Sequence, residues 1–163
     1  MKKLLKYIPF VAAIVAIDQW TKNLVLDNIR LYETVEFWPG VLSWTHYENT
    51  GAAWSMLEGF RWVFVAIFLL LTAAVLLEYF RFRMNFTPLE RWLIAAIYGG
   101  ALGNVIDRVR FGFVVDMIKT EFMEFPIFNV ADCFITCGCI ALMAHMIFCN
   151  KQFWKEDKDD TQS

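Results

Sequence analysis

The chain has 163 residues, of which 58% are hydrophobic and 17% aromatic, and its formal net charge is −2. Because a soluble domain is usually ~45–50% apolar, this composition argues against an ordinary water-soluble domain. The small net charge gives no indication of a nucleic-acid partner. We therefore expect an integral membrane protein that binds no nucleic acid.

Four apolar blocks stand out along the sequence, each close to the ~20 residues that an α-helix needs to cross a ~30 Å hydrocarbon core. Because the backbone must satisfy its own hydrogen bonds at that depth, membrane-spanning segments of this kind are helices. The sequence thus predicts one all-α, membrane-embedded domain with four transmembrane helices, over residues 7–26, 62–80, 89–107 and 133–149.

The start of the chain has two possible interpretations. Lys2, Lys3 and Lys6 precede an apolar core, as in a cleavable secretion signal. The apolar block continues through Asp18 and Lys22 without a small-x-small cleavage site. We therefore interpret it as a retained membrane anchor.

Basic residues near the helix ends predict the orientation, because they favour the cytoplasmic side of a membrane. The first long loop, residues 27–61, has few of them, so both termini are predicted to be cytoplasmic, and residues 151–163 read as a charged, solvated tail. Arg108, Arg110 and Lys119 break the pattern on the outer side, which suggests a local role for them. The residues that set the orientation are Lys2, Lys3, Lys6, Arg81, Arg83, Arg91, Lys151, Lys155 and Lys158.

The first outer loop carries a β-hairpin pattern. Residues 34–37 and 41–47 are rich in β-branched and aromatic side chains and flank Pro39-Gly40, a turn signal. We expect a small extracytoplasmic β element lying on the membrane, with Trp38, Trp44 and Trp54 as interfacial anchors.

After this hairpin, Asn49 stands beside the small residues Gly51, Ala52 and Ala53. Such a run leaves room for a ligand, although a tight turn has the same pattern.

The first and third apolar blocks contain polar groups at helical spacing. Asp18 and Lys22 lie one turn apart, so they form either a structural clasp or the border of an active site. At the end of the third block, Asn104, Asp107 and Arg108 share one face, and lining a polar pocket is favoured over a purely structural network.

Two small residues and a capping pattern complete the third block. Gly99 and Gly103 are spaced to let a neighbouring helix approach. Thr87, Pro88 and Glu90 predict the start of the helix, with Thr87 as its cap.

The four cysteines, all in the fourth block, are interpreted as small packing residues and not as a metal site, because they form no paired C-x-x-C motif. His46 and His145 are interpreted as structural residues. No metal or cofactor is expected. The cysteines are Cys133, Cys137, Cys139 and Cys149.

Two aspartates flank the segment before the fourth block. Asp116 follows a strand-like run, and Asp132 stands where the fourth helix should begin. Asp132 could be a helix N-cap, but capping does not explain Asp116. Two carboxylates that meet near a membrane boundary can share one proton and act as general base and general acid.

Five segments in this order resemble the signature blocks of the lipoprotein signal peptidase (type II signal peptidase, or prolipoprotein signal peptidase) family of bacteria. The resemblance extends over about residues 5–150. Trp54 departs from the Phe more often found at that position, a conservative aromatic change. The segments are DQWTK, ENTGAAWS, GGALGNVIDR, GFVVDMI and FNVADCFI.

The resemblance implies an aspartic endopeptidase of the bacterial inner membrane that needs no metal. It would cleave prolipoproteins before a diacylglyceryl-modified cysteine, near the periplasmic face, and be inhibited by the cyclic peptide globomycin. Asp116 and Asp132 would be the catalytic pair that activates a water, and Asp18 with Lys22 the polar pair of the first span. We expect a monomer whose partners are its substrate and membrane lipids. The substrate-binding residues would be Asn49, Gly51, Asn104, Arg108 and Asn129.

Two other classes of protein can use intramembrane polar residues. A proton-coupled transporter usually has broken helices or repeated halves with a site near the midplane, whereas these polar residues cluster at one end of the spans. A purely structural membrane subunit would not need a second carboxylate opposite the first.

Overall fold

The computed structural model describes residues 5–51, 58–78, 80 and 86–150. Predictions for Ala52, Ala53, Trp54, Lys2, Lys3, Arg81, Arg83 and residues 151–163 lie outside this range. The described residues form four long helices and one three-stranded antiparallel sheet. Their order is α1 (Ile8–Asn28), β1 (Thr34–Trp38), β2 (Leu42–Asn49), α2 (Arg61–Leu77), α3 (Pro88–Arg110), β3 (Val114–Thr120) and α4 (Val130–Phe148).

Helix α1 turns one face toward the rest of the protein. Ile14, Asp18, Lys22 and Val25 are its buried residues, at spacings of four, four and three. Residues at these spacings lie on the same side of an α-helix. Two charged side chains are therefore carried into the interior together with two apolar ones.

Helix α3 is the central helix, because it packs against α1, α2 and α4. The predicted capping box at its start is confirmed: Glu90 N donates to Thr87 Oγ1 at 3.3 Å, and Thr87 N donates to Glu90 Oε2 at 2.7 Å. These reciprocal bonds satisfy backbone donors that the first helical turn leaves without partners.

Two glycines allow the other helices to approach the C-terminal half of α3. A Cβ at Gly103 would lie 2.5 Å from Asp18 Oδ2 of α1, and one at Gly100 would lie 2.5 Å from Ala131 O of α4. The predicted close approach at Gly103 is thus confirmed, and Gly99 contacts Ile14 of α1. The sequence-based pattern missed Gly100, which brings the start of α4 to the same place.

The predicted hairpin is confirmed with slightly longer strands. β1 pairs with β2, β2 pairs with β3, and Asp116 lies opposite Tyr47. The sheet rests on the end of α1 through a buried cluster of Val25, Val115 and Met117. Trp38 is exposed, whereas Trp44 packs against this cluster.

Helix α4 begins three residues earlier than expected, at Val130. Its N-cap is Asn129, and Asp132 occupies the third helical position. The assignment of Asp132 as an N-cap is therefore wrong. Asn129 takes the cap because its side chain reaches Asp132 N while the Asp132 carboxylate reaches back to Asn129 N, which is a complete capping box.

Helix α2 has no buried residue. Among the described helices, α4 is long and apolar enough to cross a membrane by length and composition, while α2 is apolar but has 17 residues. Charged residues interrupt α1 and α3. A membrane-spanning role for α1, α2 and α3, and with it the total of four spans, therefore remains an expectation.

The cysteines and histidines of the described residues have modest roles. All four cysteines are free, and Cys137 and Cys149 are exposed, so these two do not pack in the interior. His46 Nδ1 lies 3.0 Å from Ile29 O, and His145 Nδ1 lies 2.9 Å from Glu90 Oε1. Both histidines thus connect separate parts of the fold.

Candidate active site

Asp116 and Asp132 lie at the end of the helical bundle that carries the sheet. Asp116 is in β3 and is 1% exposed. Asp132 is in the first turn of α4 and is half-buried. One carboxyl group is thus enclosed, while the other retains access to the surface.

Asn129 contacts both aspartates. Its side-chain Nδ2 donates to Asp116 Oδ1 at 2.6 Å, and its backbone N donates to Asp132 Oδ2 at 3.1 Å. Asn129 is fully buried, with 0% exposure. A single buried residue therefore fixes the position of one carboxyl group relative to the other.

Two further amides complete the hydrogen bonding of the pair. Asn49 Nδ2, at the end of β2, donates to Asp116 Oδ2 at 2.8 Å. Asn104 Nδ2, in α3, donates to Asp132 Oδ1 at 2.7 Å. Each carboxyl group thus receives two N–H donors. Asn49, Asn104 and Asn129, which the resemblance gave as substrate-binding residues, thus orient the two carboxyl groups in this structure.

The environment of Asp116 favours its protonated form. Burial, followed by the nearby charge of Asp132, raises its pKa to about 7, although the hydrogen bonds from Asn49 and Asn129 act in the opposite direction. Burial dominates because a charged carboxylate loses its hydration in the interior. A pair in which one member keeps its proton near neutral pH can act as acid and base together.

Behind the pair lies a buried ion cluster that joins α1 and α3. Lys22 Nζ is 2.9 Å from Asp18 Oδ2 and 2.8 Å from Asp107 Oδ2. Gln19 Nε2 donates to Asp107 Oδ1 at 2.7 Å. Asp107 was expected to line a polar pocket with Asn104 and Arg108, whereas no site role was predicted for Gln19. Its position next to Asp18 is the signal that could have identified it.

Arg108 is buried beside the pair, whereas Asp107 makes its direct contacts with Lys22 and Gln19. Arg108 Nη2 donates to Gly51 O at 2.7 Å, and its guanidinium lies 4.2 Å from the ring centroid of Phe64. Among the described residues, its Nε has no hydrogen-bond partner. A buried donor without a partner is costly, which makes it a candidate contact for a ligand.

A large apolar cleft of 1640 Å³ lies elsewhere, between α1, α2 and α3. Neither aspartate lines it, and its contact with the site network is through Gln19. Judged by cavity volume alone, this cleft would be the ligand site. We place the site at the aspartates because the acid–base groups and their amide donors converge at that point.

The comparisons with known proteins identify the family of the chain. The family model for signal peptidase (SPase) II matches residues 10–148, which include all the site residues described above. The chain belongs to the signal peptidase II family. It is therefore a peptidase.

Relatives within the signal peptidase II family are similar over nearly the whole chain. The lipoprotein signal peptidase of Enterococcus faecalis is 44% identical over 161 residues, covering 97% of each chain. That of Lactococcus lactis subsp. cremoris is 48% identical over 145 residues, covering 87% of this chain and 93% of the relative.

The fold is shared with solved structures. One described as a bacterial membrane enzyme matches with a TM-score of 0.82 and 31% identity, over 90% of both chains. A second of the same description matches with a TM-score of 0.78 and 32% identity, over 88% of this chain and 94% of the other.

Proposed function

We propose that this signal peptidase II is an aspartic endopeptidase of the bacterial inner membrane. It removes signal peptides from prolipoproteins, cutting on the amino side of a diacylglyceryl-modified cysteine. The observation that carries the proposal is the pair Asp116 and Asp132, joined by Asn129, with the raised pKa of Asp116. The lipoprotein substrate is suggested by the names of the relatives.

The distribution of charge and apolar surface supports a membrane location with four spans. Several charged groups in the middle of α1 and near the ends of α3 are buried, among them Asp18, Lys22 and Glu90. The outward faces instead carry large apolar side chains such as Leu69 and Leu70 of α2, which are 61% and 70% exposed. Polar side chains turned inward and apolar ones turned outward are typical of a helix bundle in lipid.

Before the reaction, Asp116 holds the proton and Asp132 is ionised. Burial favours the neutral form of Asp116. Asp132 lies in the first turn of α4, where the helix dipole favours a negative charge, and it is half-buried. This assignment places the base where water can reach it.

In the reaction, Asp132 takes a proton from a water, and the water oxygen attacks the scissile carbonyl carbon. Asp116 donates a hydrogen bond to the carbonyl oxygen and stabilises the charge that develops there. When the tetrahedral intermediate collapses, the C–N bond breaks and the proton held by Asp132 passes to the leaving amine. The pair then again shares one proton, ready for the next substrate.

The substrate reaches the site from the bilayer, because its signal helix and two acyl chains are apolar. Burying the acyl chains contributes roughly 0.8 kcal/mol per CH₂. Arg108 Nε, a buried donor, is available to a substrate carbonyl or lipid ester. Asn49, at the end of β2, and Gly51, whose carbonyl accepts from Arg108, contact the substrate in this proposal, whereas the buried Asn104 and Asn129 act by holding the two carboxyl groups. All these groups come from one chain, so we expect the enzyme to act as a monomer.

A processing assay with a diacylglyceryl-modified precursor tests the proposal. Asp116→Asn and Asp132→Asn should each leave a folded, inserted protein that accumulates uncleaved precursor. Asp27→Asn, which changes an exposed carboxylate of α1, is the matched control and should process normally. Globomycin should block the wild-type enzyme. Near-normal cleavage by either dyad variant would remove the aspartic assignment.

A further inference from the structure

The ammonium group of Lys22 is fully used by three acceptors. Its Nζ lies 2.9 Å from Asp18 Oδ2, 2.8 Å from Asp107 Oδ2 and 2.9 Å from Asn104 Oδ1. An ammonium has three N–H donors, and Lys22 is 2% exposed. The side chain is therefore enclosed, with each donor directed at a different residue.

The two carboxylates bound by Lys22 each hold a backbone amide of another element. Asp18 Oδ1 accepts from Ala131 N at 3.0 Å. Asp107 Oδ2 accepts from Val115 N at 3.3 Å. Ala131 directly precedes Asp132, and Val115 directly precedes Asp116. The residue before each catalytic aspartate therefore donates its backbone N–H to a carboxylate that Lys22 binds.

The third acceptor, Asn104, continues the connection to the carboxyl group of Asp132. Because Asn104 Oδ1 accepts from Lys22 Nζ and from Asn129 Nδ2 at 3.1 Å, its Nδ2 is turned toward Asp132 Oδ1. An amide without these donors could rotate and present its oxygen to the carboxylate, which would repel it.

We propose that Lys22 is a positioning residue for the reaction: by joining Asp18 to Asp107, it sets the distance between the backbones that carry Asp116 and Asp132. Without the cation, two buried carboxylates would face each other across the junction of α1 and α3, and their repulsion would move both attached backbones. The inference rests on the proposed function, since it assumes that these two aspartates are the reacting pair.

Lys22→Met tests the role directly, because Met retains an apolar chain but has no ammonium. We expect kcat, measured per folded enzyme on the lipidated precursor, to fall about 100-fold, the loss expected from a misplacement of about 1 Å. KM should change less than about threefold, because Lys22 contacts Asp18, Asp107 and Asn104 and is enclosed by them. A wild-type kcat would overturn the proposal.

Two variants of Asp18 keep the test decisive if Lys22→Met folds poorly. Asn at position 18 retains an oxygen that can accept from Ala131 N, whereas Ala removes both the charge and the acceptor. We expect kcat to fall about 10-fold for Asp18→Asn and about 100-fold for Asp18→Ala, with KM little changed in both. Equal, wild-type-like kcat values for the two folded variants would contradict the proposal.

Glu90→Gln is the matched control for a purely structural effect. Glu90 is also fully buried in a cluster, with His145 and Asn150, but it lies at the opposite end of α3. The Glu90→Gln substitution should lower the unfolding temperature and leave kcat unchanged. If it lowered kcat as much as Lys22→Met, the effect of Lys22 would be general destabilisation, and the inference would fail. Full activity of Asp116→Asn would instead refute the proposed function.

Discussion

Asn129 and Asp132 bind each other through two reciprocal hydrogen bonds, with Asp132 N donating to Asn129 Oδ1 at 3.0 Å and Asn129 N donating to Asp132 Oδ2 at 3.1 Å. The Asn129 side chain also donates to Asp116 at 2.6 Å. The capping box that begins α4 is thus also the connection between the two acidic groups.

The two roles of Asn129 can be separated by substitution. Ser at position 129 can still cap α4 but is too short to reach Asp116, whereas Ala does neither. We expect Asn129→Ser and Asn129→Ala both to lower kcat at least 10-fold. Asn129→Ala should lose about 1 kcal/mol more stability than Asn129→Ser, the usual cost of an N-cap. Precursor cleavage and denaturant unfolding measure the two effects, and equal stability of the variants would argue against the capping role.

The pH dependence of cleavage should reflect Asp116. Its pKa is raised to about 7, so the carboxyl group is protonated below that pH and ionised above it. We expect kcat to fall as the pH rises through about 7, because the pair then loses its one shared proton. The hydrogen bond from Asn49 lowers this pKa. In Asn49→Ala the alkaline limb should therefore move to higher pH, and an unchanged limb would contradict the assignment.

Arg108→Lys tests the buried Nε of Arg108, which has no hydrogen-bond partner among the residues that the structure describes. Lys keeps the positive charge but has no Nε–H group and no planar group to lie over Phe64. We expect kcat/KM for the lipidated precursor to fall at least 10-fold, mainly through KM. Arg30→Lys, at an exposed position, should leave both constants unchanged. If KM is unaltered by Arg108→Lys, the guanidinium does not contact substrate.

Glu90 should contribute to stability alone. Its carboxylate accepts from Thr87 N at 2.7 Å and from Asn150 Nδ2 at 3.0 and 2.9 Å, and it contacts His145 Nδ1 at 2.9 Å. Replacing it with Gln weakens charge-assisted bonds at a buried site, so we expect a loss of about 1–3 kcal/mol in the free energy of unfolding. Thermal or denaturant unfolding in detergent measures this loss, and no change would mean that the cluster is energetically neutral.

Chelation should not inhibit the enzyme. Asp116 accepts N–H groups from Asn49 and Asn129, and Asp132 accepts N–H groups from Asn104 and Asn129. A cation bound to the same oxygens would have to displace these donors. Activity should therefore be the same with and without EDTA, after preincubation long enough to remove a tightly bound ion. Inhibition that added zinc reverses would indicate a metallopeptidase.

Much of the local structure was predictable because its determinants lie within a few residues. The capping box of α3 requires Thr87 and Glu90 at fixed spacing, and the hairpin requires a turn between two short β-prone runs. The shared face of Asn104, Asp107 and Arg108 follows from helical periodicity alone, and all three are buried.

Other features depend on contacts between distant parts of the chain. The bond from Ala131 N to Asp18 Oδ1 spans 113 positions, and a backbone donor leaves no mark in the sequence. The start of α4 was misplaced for a local reason. Asn129 and Asp132 are both good N-cap residues, and only their mutual hydrogen bonds decide which of them takes that position.

The two acidic groups stand on different kinds of element, Asp116 on an edge strand of the sheet and Asp132 on the first turn of a helix. The two carboxyl groups come close together only when the sheet packs against the helical bundle. Under the proposed mechanism, a newly inserted chain therefore has no hydrolytic centre while it is still assembling, and it cannot cleave neighbouring polypeptides until its tertiary structure is complete.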